Sequence, residues 1–263
     1  MAAALIGGLL ANGWASSRIR VAEIGGARRE FLSREFGVAV RADAQAIAAE
    51  ADAVVLAVKP QQMHEALAGL TLKDGALVVS IAAGVTLASI KAALGSDTHC
   101  VRTMPNTPAL LGAGITGLFA PAGTPLPARM LAERLLAAAG ACVWVDREEL
   151  LDAVTAVSGS GPAYFFLVVE AMTEAGIQLG LSPATAARLA AHTAYGAGRM
   201  AVEEGLAKNV AVATLRANVT SKGGTTEAAL AHLESAGLRA TFHEALNKAA
   251  ARAAELGAAL NRS

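Results

Sequence analysis

The chain has few cysteines and few charged residues, and both shortages limit what it can be. Cys100 and Cys142 are the two cysteines among 263 residues, too few and too far apart in sequence for a disulfide framework. We therefore expect a reducing compartment, the cytoplasm. Charged residues make up 17% of the chain, against about 25% in a typical soluble protein. Hydrophobic residues make up 54%, and we expect a chain this apolar to bury surface in an oligomer.

A net charge of one sign, metal-ligand spacing and long hydrophobic runs are also missing. The 22 basic and 22 acidic residues balance, so the overall charge indicates neither nucleic acid nor a membrane surface as partner. The five histidines show no His-Glu-x-x-His or similar spacing, and we predict no metal site. We find no run of about 20 apolar residues that would anchor the chain in a membrane. No Lys or Arg precedes the apolar N-terminal stretch, as a secretory signal would require.

Short β-branched runs alternate with helical stretches from Ile19 to about Val145. This alternation is typical of βαβ units and predicts a parallel sheet. After Asp146 the strand signals stop, and helical periodicity continues to Ser263 with breaks at "SGSGP", "GLSP", "EEGLAKN" and "TSKGGTT". We predict an α/β Rossmann-like, dinucleotide-binding domain at residues 1–147 and an all-α domain at residues 148–263.

The first ten residues, "MAAALIGGLL", predict a helix that ends at Asn12 and Gly13. A doubly wound dinucleotide-binding domain begins with a strand and a Gly-x-Gly-x-x-Gly/Ala turn before its first helix. We interpret the N-terminal stretch as that helix, with the first strand and the glycine-rich turn missing. A start assigned too late and a loss of tight dinucleotide binding are two explanations that stay open here.

Two loops follow predicted parallel strands: "AVKPQ" at residues 57–61 and "MPNTPA" at residues 104–109. Ligands of open α/β sheets bind outside the carboxyl ends of the strands, so both loops are candidates for cofactor contact. The position of the two loops supports cofactor contact more than their residue types do. Lys59, for example, is explained equally well as an ordinary surface lysine whose aliphatic part lies on apolar surface.

The second half contains two loops of interest. In "NVTSKGGTTEAAL", residues 218–230, two glycines precede a helix start whose free N–H groups favour an anion such as a carboxylate. Taken alone, this loop is explained better as an interhelical turn with a polar cap. "VSGSGPAYFF", residues 157–166, predicts a flexible entry into a buried interface helix. Glycines flank Ser160 directly, so the serine-hydrolase motif Gly-x-Ser-x-Gly is not matched.

The motifs "AVKPQ", "VSIAAG", "VRTMPNTPA", "AVSGSGPAYFF" and "NVTSKGGTTEAAL" occur in this order, and together the chain resembles the pyrroline-5-carboxylate reductase family from Met1 to about Glu255. The resemblance implies a Rossmann-like N-terminal domain and a helical C-terminal dimerisation domain. It also implies reduction of the small molecule 1-pyrroline-5-carboxylate to L-proline by hydride transfer from NADPH or NADH. The implied assembly is a homodimer, and in this family dimers often form a decamer.

The resemblance also assigns residues to the two binding sites. Thr226 would hydrogen-bond the ring nitrogen as the catalytic residue, polarising and positioning the imine rather than acting as a general base. The other residues expected at the substrate are Ser221, Gly223, Gly224 and Thr225, which would cradle its carboxylate, and Ser158, Gly159, Ser160, Gly161 and Pro162, which would shape a pocket between the domains. Those expected at the cofactor are Ala57, Val58, Lys59, Pro60, Ala82, Ala83, Gly84, Met104, Pro105 and Asn106.

The residues after the second predicted strand leave the choice between NADPH and NADH open. Glu23 would bond a ribose 2′-OH and favour NADH, whereas Arg28 and Arg29 are placed to hold a 2′-phosphate.

Two other functions are kept as alternatives. One is a truncated, non-catalytic relative that acts as a dimeric interaction module, although the intact loop at residues 221–226 argues against it. The other is a reductase of a different cyclic imine or of a β-hydroxy acid. The β-hydroxy acid would require a catalytic lysine on the helix after "SGSGP", where the sequence has none.

Overall fold

The computed structural model describes residues 1–260. Within them the chain forms two compact units, residues 1–160 with residues 247–260, and residues 161–246. The predicted domain boundary between residues 147 and 148 came from composition rather than from contacts, and it stays a prediction. Residues 261–263 of the predicted second domain lie outside the described part of the chain.

The first unit contains the strands and the helices that cover them. The strands are β1 (Arg20–Ala22), β2 (Ala39–Arg41), β3 (Ala53–Leu56), β4 (Leu77–Ser80), β5 (His99–Met104), β6 (Gly114–Phe119) and β7 (Gly140–Trp144). The helices are α1 (Ala2–Ala11), α2 (Gly26–Phe36), α3 (Gln45–Ala48), α4 (Met63–Leu67), α5 (Leu87–Leu94), α6 (Leu126–Ala137) and α7 (Leu150–Val154), with 3₁₀ turns at Ser16–Arg18, Pro60–Gln62 and Thr107–Leu111.

The second unit is helical. It contains α8 (Gly161–Gln178), α9 (Pro183–Met200), α10 (Val212–Asn218), α11 (Thr225–Ser235) and the first part of α12 (Leu238–Leu260), the last part of which belongs to the first unit.

The strands pair in two sheets, β1-β2 and β3-β4-β5-β6-β7. Strand β4 is buried along its whole length, as expected for a parallel strand covered on both faces. Its side chains alternate: Leu77 and Val79 pack in the core with α1 and α6, and Val78 packs in the core with α4 and α5.

The prediction of a mainly parallel sheet is confirmed, but it missed one strand. Strand β6 runs antiparallel to β5 and parallel to β7. Its sequence, "GITGLF", carries two glycines, which weaken the strand signal. The structure explains one of them, because a Cβ on Gly117 would lie 2.7 Å from Cγ1 of Val154.

The predicted N-terminal helix is present as α1, and it contributes to the cores of both sheets. Leu5 packs in the core of the five-stranded sheet, whereas Ile6 packs with Leu32 and Val38 beside the two-stranded sheet. A Cβ on Gly8 would lie 2.1 Å from the carbonyl oxygen of Ala138. This close approach accounts for a glycine inside a helix, where it costs roughly 0.5–1 kcal/mol relative to alanine.

The break at "SGSGP" is shorter than predicted, because Ser160 alone lies between the helical elements there. A π-helical turn at Thr155–Gly159 connects α7 to α8, and the Ser160 N–H donates to the carbonyl oxygen of Thr155 at 2.8 Å. The break at "EEGLAKN" is also shorter than predicted, because a second π-helical turn, Ala201–Leu206, continues α9. Single π turns of this kind insert one extra residue into a helix and are frequent at functional sites.

Helix α8 is exposed within this chain, and its predicted burial at a subunit or domain interface stays a prediction. Phe165 is 68% exposed and Leu167 is 65% exposed. By length and composition the helix Leu150–Gln178 could cross a membrane, with a mean hydropathy of 1.2 over 18 residues. The helix is not an unbroken apolar run, because charged residues such as Glu170 interrupt it. Length and composition are weak evidence for a membrane span, because interface helices share both properties.

Candidate functional site

The predicted cofactor residues other than Glu23, which follows β1 of the two-stranded sheet, lie at one edge of the five-stranded sheet. Strands β3, β4 and β5 are neighbours and run parallel, so their carboxyl ends meet at this edge. The loop after β3 contains Ala57, Val58, Lys59 and Pro60, the loop after β4 contains Ala82, Ala83 and Gly84, and β5 ends at Met104 before Pro105 and Asn106. In α/β sheets this edge is where nucleotides bind.

The loop between β4 and α5 is held at both of its ends. The Ser80 hydroxyl oxygen accepts from the N–H of Ala82 at 3.3 Å. At the other end, Oε1 of Glu148 accepts from the N–H of Leu87, the first residue of α5, at 2.9 Å. The same oxygen accepts from Nη1 of Arg102 at 3.0 Å. Glu148 was missed by sequence reasoning because nothing in its local pattern indicates a partner about 60 residues earlier.

Arg102 and Glu148 form an ion pair largely shielded from water, with side-chain exposures of 8% and 21%. Asp152 lies close to this pair. Burial raises the pKa of the Asp152 carboxyl, the nearby Glu148 and Glu149 raise it further, and Arg102 opposes the shift. The pKa of Asp152 therefore depends on the charges of Arg102, Glu148 and Glu149 as well as on burial.

Asn106, predicted at the cofactor, is a structural link in this chain. Its Nδ2 donates to the carbonyl oxygen of Ser158 at 3.1 Å, and its Oδ1 accepts from the N–H of Ile115 at 2.9 Å. A Cβ on Gly159 would lie 2.6 Å from Cε of Met104. The structure thus brings the "MPN" segment into contact with the π-helical turn. The side chain of Asn106 is buried, and both of its polar atoms are bonded to protein groups.

Glu23 and the two arginines lie at the start of α2. Oε1 of Glu23 accepts from the N–H of Gly25 at 2.8 Å. Nη1 of Arg29 donates to the carbonyl oxygens of Glu23, at 3.0 Å, and Ile24, at 2.7 Å, so this guanidinium is bound to the loop. The Arg28 guanidinium lies 4.7 Å from the centre of the exposed Phe31 ring. Of the two arginines, Arg28 is the one whose charge is available to a phosphate.

The loop at residues 221–224 precedes α11, and its first amides are occupied by protein groups. The N–H of Gly223 donates to Oε2 of Glu227 at 2.6 Å, and the N–H of Gly224 donates to the carbonyl oxygen of Ser221 at 3.0 Å. The sequence-based expectation assigned both glycine amides to the substrate carboxylate. The N–H groups of Thr225 and Thr226 remain, because the first turn of a helix has no helical carbonyl to receive them.

The two glycines of this loop are required by its geometry. Gly223 has φ +72°, in the left-handed region that favours glycine. A Cβ on Gly224 would lie 2.4 Å from Oγ of Ser221, so any side chain there would displace the serine. The spacing of Glu227 three residues after Gly224 is similar to that of a capping box, and this signal could have identified the acidic cap in the sequence.

The described residues contain no group of three or more His, Cys, Asp or Glu side chains arranged to hold a metal ion. Cys100 and Cys142 are free thiols. Burial raises the pKa of both to about 11, and Glu133 adds to the effect at Cys142. Both thiols therefore stay protonated near neutral pH and lack the thiolate that nucleophilic catalysis requires.

Comparison with known proteins assigns the family. Residues 148–256 match the family model for pyrroline-5-carboxylate reductase dimerisation, and residues 1–84 match the model described as NADP oxidoreductase, coenzyme F420-dependent. A pyrroline-5-carboxylate reductase of Pseudomonas aeruginosa is 48% identical over 265 residues, which cover all of this chain and 95% of that protein. The chain belongs to the pyrroline-5-carboxylate reductase family.

Further relatives and solved structures agree with this assignment. A pyrroline-5-carboxylate reductase of Haemophilus influenzae is 42% identical over 97% of this chain and 94% of its own. The structure of the Coxiella burnetii enzyme has a TM-score of 0.91 at 43% identity, covering 97% of this chain and 94% of that one. A Plasmodium falciparum pyrroline carboxylate reductase, solved with NADP bound, has a TM-score of 0.81 at 25% identity, with the same two coverages. The resemblance and the predicted fold class are thereby confirmed, and the chain is an NAD(P)H-dependent oxidoreductase of the imine-reducing type.

Proposed function

We propose that this protein reduces 1-pyrroline-5-carboxylate to L-proline with NADPH or NADH, and that the loop at residues 221–226 binds the substrate. The observation that carries the proposal is the start of α11, where the Thr225 and Thr226 N–H groups and two hydroxyls lie within two residues. The carboxylate and the ring nitrogen of a small cyclic acid are about as far apart as these amide and hydroxyl groups, so both can be bound here at once. The positive end of the helix dipole favours the carboxylate here.

Thr226 is the residue assigned to the reacting end of the substrate. A hydrogen bond from its hydroxyl to the ring nitrogen draws electrons from the C=N bond and makes the adjacent carbon a better hydride acceptor. The carbon gains the hydride and the nitrogen gains one proton from water, which gives the secondary amine of proline. A threonine hydroxyl is too weak a base to abstract protons at neutral pH, so Thr226 positions and polarises.

The remaining proposed substrate residues are Ser221, which with Gly223 and Gly224 shapes the loop, and Ser158, Gly159, Ser160, Gly161 and Pro162 at the start of α8. In the structure Gly223 and Gly224 donate their N–H groups to Glu227 and Ser221. Their contribution to substrate binding is therefore the conformation of the loop, and the carboxylate is bound by the two threonine amides.

The sheet edge fits a dinucleotide. Ala57 and Ala83 are small and exposed, so the backbone after β3 and β4 is open to close approach at these two residues. When bound there, NADPH or NADH supplies the hydride. Lys59, exposed at the same edge, is placed to pair with the phosphates. Arg28 and Glu23 set the preference at the ribose, and the arginine favours NADPH.

A homodimer in the cytoplasm completes the proposal. The exposed apolar surface of α8 supports a second copy as partner, as does the family model for dimerisation, which covers this helix. The two protonated thiols suit a reducing compartment. Light scattering would measure the mass of the assembly and would also test the larger decamer that the family resemblance implies.

The direct test is an assay of the purified full chain with 1-pyrroline-5-carboxylate and each reduced nicotinamide. We expect oxidation of the cofactor only when the imine is present, with formation of an equal amount of proline, identified by mass spectrometry. Absence of turnover with both cofactors would contradict the proposal. A protein that then still formed dimers would match the non-catalytic alternative, and turnover of a six-membered cyclic imine alone would match the other.

A further inference from the structure

The last turns of α12 approach the loop that follows β4 through two glycines. A Cβ on Gly257 would lie 3.2 Å from the carbonyl oxygen of Gly84 and 3.5 Å from its Cα. In the other direction, a Cβ on Gly84 would lie 3.2 Å from the Cα of Gly257 and 3.2 Å from Cδ1 of Leu260. The backbones of Gly84 and Gly257 therefore contact each other directly, and the side chain of Leu260 packs beside them.

This loop is the one that the proposed function assigns to the cofactor. It leaves the carboxyl end of β4, the strand between β3 and β5 in the sheet, and Gly84 at its centre has φ +78°. Ser80 holds one end and Glu148 holds the other. The contact from Gly257 falls between these two hydrogen bonds along the loop, so α12 packs against its central part.

The glycine at position 257 is unfavourable for the helix itself. Glycine in a helix interior is less stable than alanine because its backbone loses more conformational freedom on folding. Position 257 lies within α12, three residues before its end. A residue that weakens its own helix and allows a backbone contact elsewhere is best explained by that contact.

We propose that Gly257 is a positioning residue for the cofactor: it lets α12 pack against Gly84 and hold the loop between β4 and α5 in the conformation that binds NADPH or NADH. This inference rests on the proposed function for the identity of the ligand. It adds to that function a residue distant in sequence from every motif of the cofactor site.

The test compares Gly257→Ala and Gly257→Val with Ala254→Val, which introduces the same valine at an exposed position of the same helix. The measurement is the Kd of NADPH for the full chain without imine, by isothermal titration. We expect Gly257→Val to raise this Kd by about tenfold, as overpacking against a backbone strains the loop. Gly257→Ala should raise it by roughly threefold, since a 3.2 Å contact requires a smaller adjustment, and Ala254→Val should leave it unchanged.

The alanine variant also separates a loop effect from a general loss of stability. If position 257 were free of contacts, alanine would raise the melting temperature through its helix propensity and leave the Kd unchanged. That result would overturn the proposal, as would an unchanged Kd in a folded valine variant. In steady-state kinetics, we expect the KM for NADPH to rise in the variants while the KM for the imine stays constant.

Failure of the proposed function has a different signature. A wild-type chain that binds NADPH but does not reduce the imine would refute the reductase activity and leave the Gly257 comparison valid. A wild-type chain without measurable affinity for NADPH or NADH would overturn both.

Discussion

The two compact units differ in where their apolar residues lie. In residues 1–160, β4 and its neighbours are surrounded by helices on both faces, and side chains such as Val78 and Leu118 are fully buried. In residues 161–246, by contrast, the buried hydrophobic side chains are Ala186 and Ala190, while Phe165 and Phe166 are exposed. A helical layer without large buried side chains lacks the main stabilising contribution to folding. The first unit therefore has a core of large side chains, whereas the second has Ala186 and Ala190 buried and large side chains such as Phe165 on its surface.

The comparison is tested most strongly by placing a charge on each unit. Phe165→Glu places a carboxylate on the exposed face of α8, and Met130→Glu places one at a similarly exposed position of α6, 61% accessible. We expect the α8 variant to weaken the dimer at least 100-fold, about 3 kcal/mol, with loss of activity, and the α6 variant to remain dimeric and active. Light scattering over a concentration series measures the difference. Equal masses for both variants would mean that α8 is not the interface.

The next effect concerns the chemistry assigned to the second unit. We expect Thr226→Ala to lower kcat with the imine by roughly 30- to 100-fold, about 2–3 kcal/mol, since it removes a donor aimed at the ring nitrogen. The Kd of NADPH should not change. Thr220→Ala is the matched control, because the Thr220 hydroxyl donates to the carbonyl oxygen of Arg216 within its own helix end. Similar activities of the two variants would remove Thr226 from the mechanism.

A variant in the first unit, by contrast, should change the binding of the cofactor and leave the binding of the imine unchanged. We expect Arg28→Ala to raise the KM for NADPH roughly tenfold, by about 1.4 kcal/mol, because the 2′-phosphate loses a charged partner. The KM for NADH should stay within twofold, and Arg34→Ala, at an exposed position of the same helix, should change neither. An equal rise for both cofactors would place Arg28 away from the ribose.

A smaller effect is expected at Glu227. Its carboxylate lies on the Gly223 N–H, near the amides proposed for the substrate carboxylate. Glu227→Gln keeps an acceptor for that N–H and removes the charge, so we expect the KM for the imine to fall by two- to threefold at low salt and the gain to shrink at high salt. Glu244→Gln, exposed on α12, is the control. A rise in KM would show that the charge itself stabilises the loop.

The smallest effect is a pH dependence of stability in the first unit. Because burial raises the pKa of Asp152 above its usual value, the stability associated with its protonated form is lost as the pH rises through that raised pKa. We expect Asp152→Asn to increase the melting temperature at neutral pH by up to a few degrees, corresponding to less than about 1 kcal/mol. The difference should vanish at acidic pH, where wild-type Asp152 is also uncharged. If attraction to Arg102 outweighed burial, the charged form of Asp152 would stabilise the protein. Thermal unfolding at several pH values would then show Asp152→Asn lowering the melting temperature at neutral pH.

The sequence predicted those features of this chain that depend on local pattern. Helix α1 and the buried strand β4 were predicted from apolar runs, and the loops after β3 and β5 were predicted from the prolines that end those strands. The order of the five motifs gave the family, which the comparisons confirmed. These features have in common that the residues responsible are adjacent in sequence.

The features that the sequence did not predict depend on contacts between distant segments. Strand β6 has two glycines, and its strand conformation comes from pairing with β5 and β7. The π-helical turn is unrecognisable in "SGSGP" because glycine and proline usually interrupt helices. The availability of the Gly223 amide depends on the side-chain conformation of Glu227, and that of the Gly224 amide depends on the loop backbone. The contacts of Gly257 with Gly84 and of Glu148 with Leu87 each join positions more than 60 residues apart in sequence.

Glu148 shows how narrowly one position can be constrained without belonging to any motif. A single carboxylate oxygen serves both the first amide of α5 and the Arg102 guanidinium. Glutamine would offer the amide an acceptor but leave a buried cation uncompensated, and aspartate would keep the charge on a side chain one methylene shorter. Neither conservative exchange fulfils both requirements, so tolerance to mutation at this site should be lower than its partial exposure to solvent suggests.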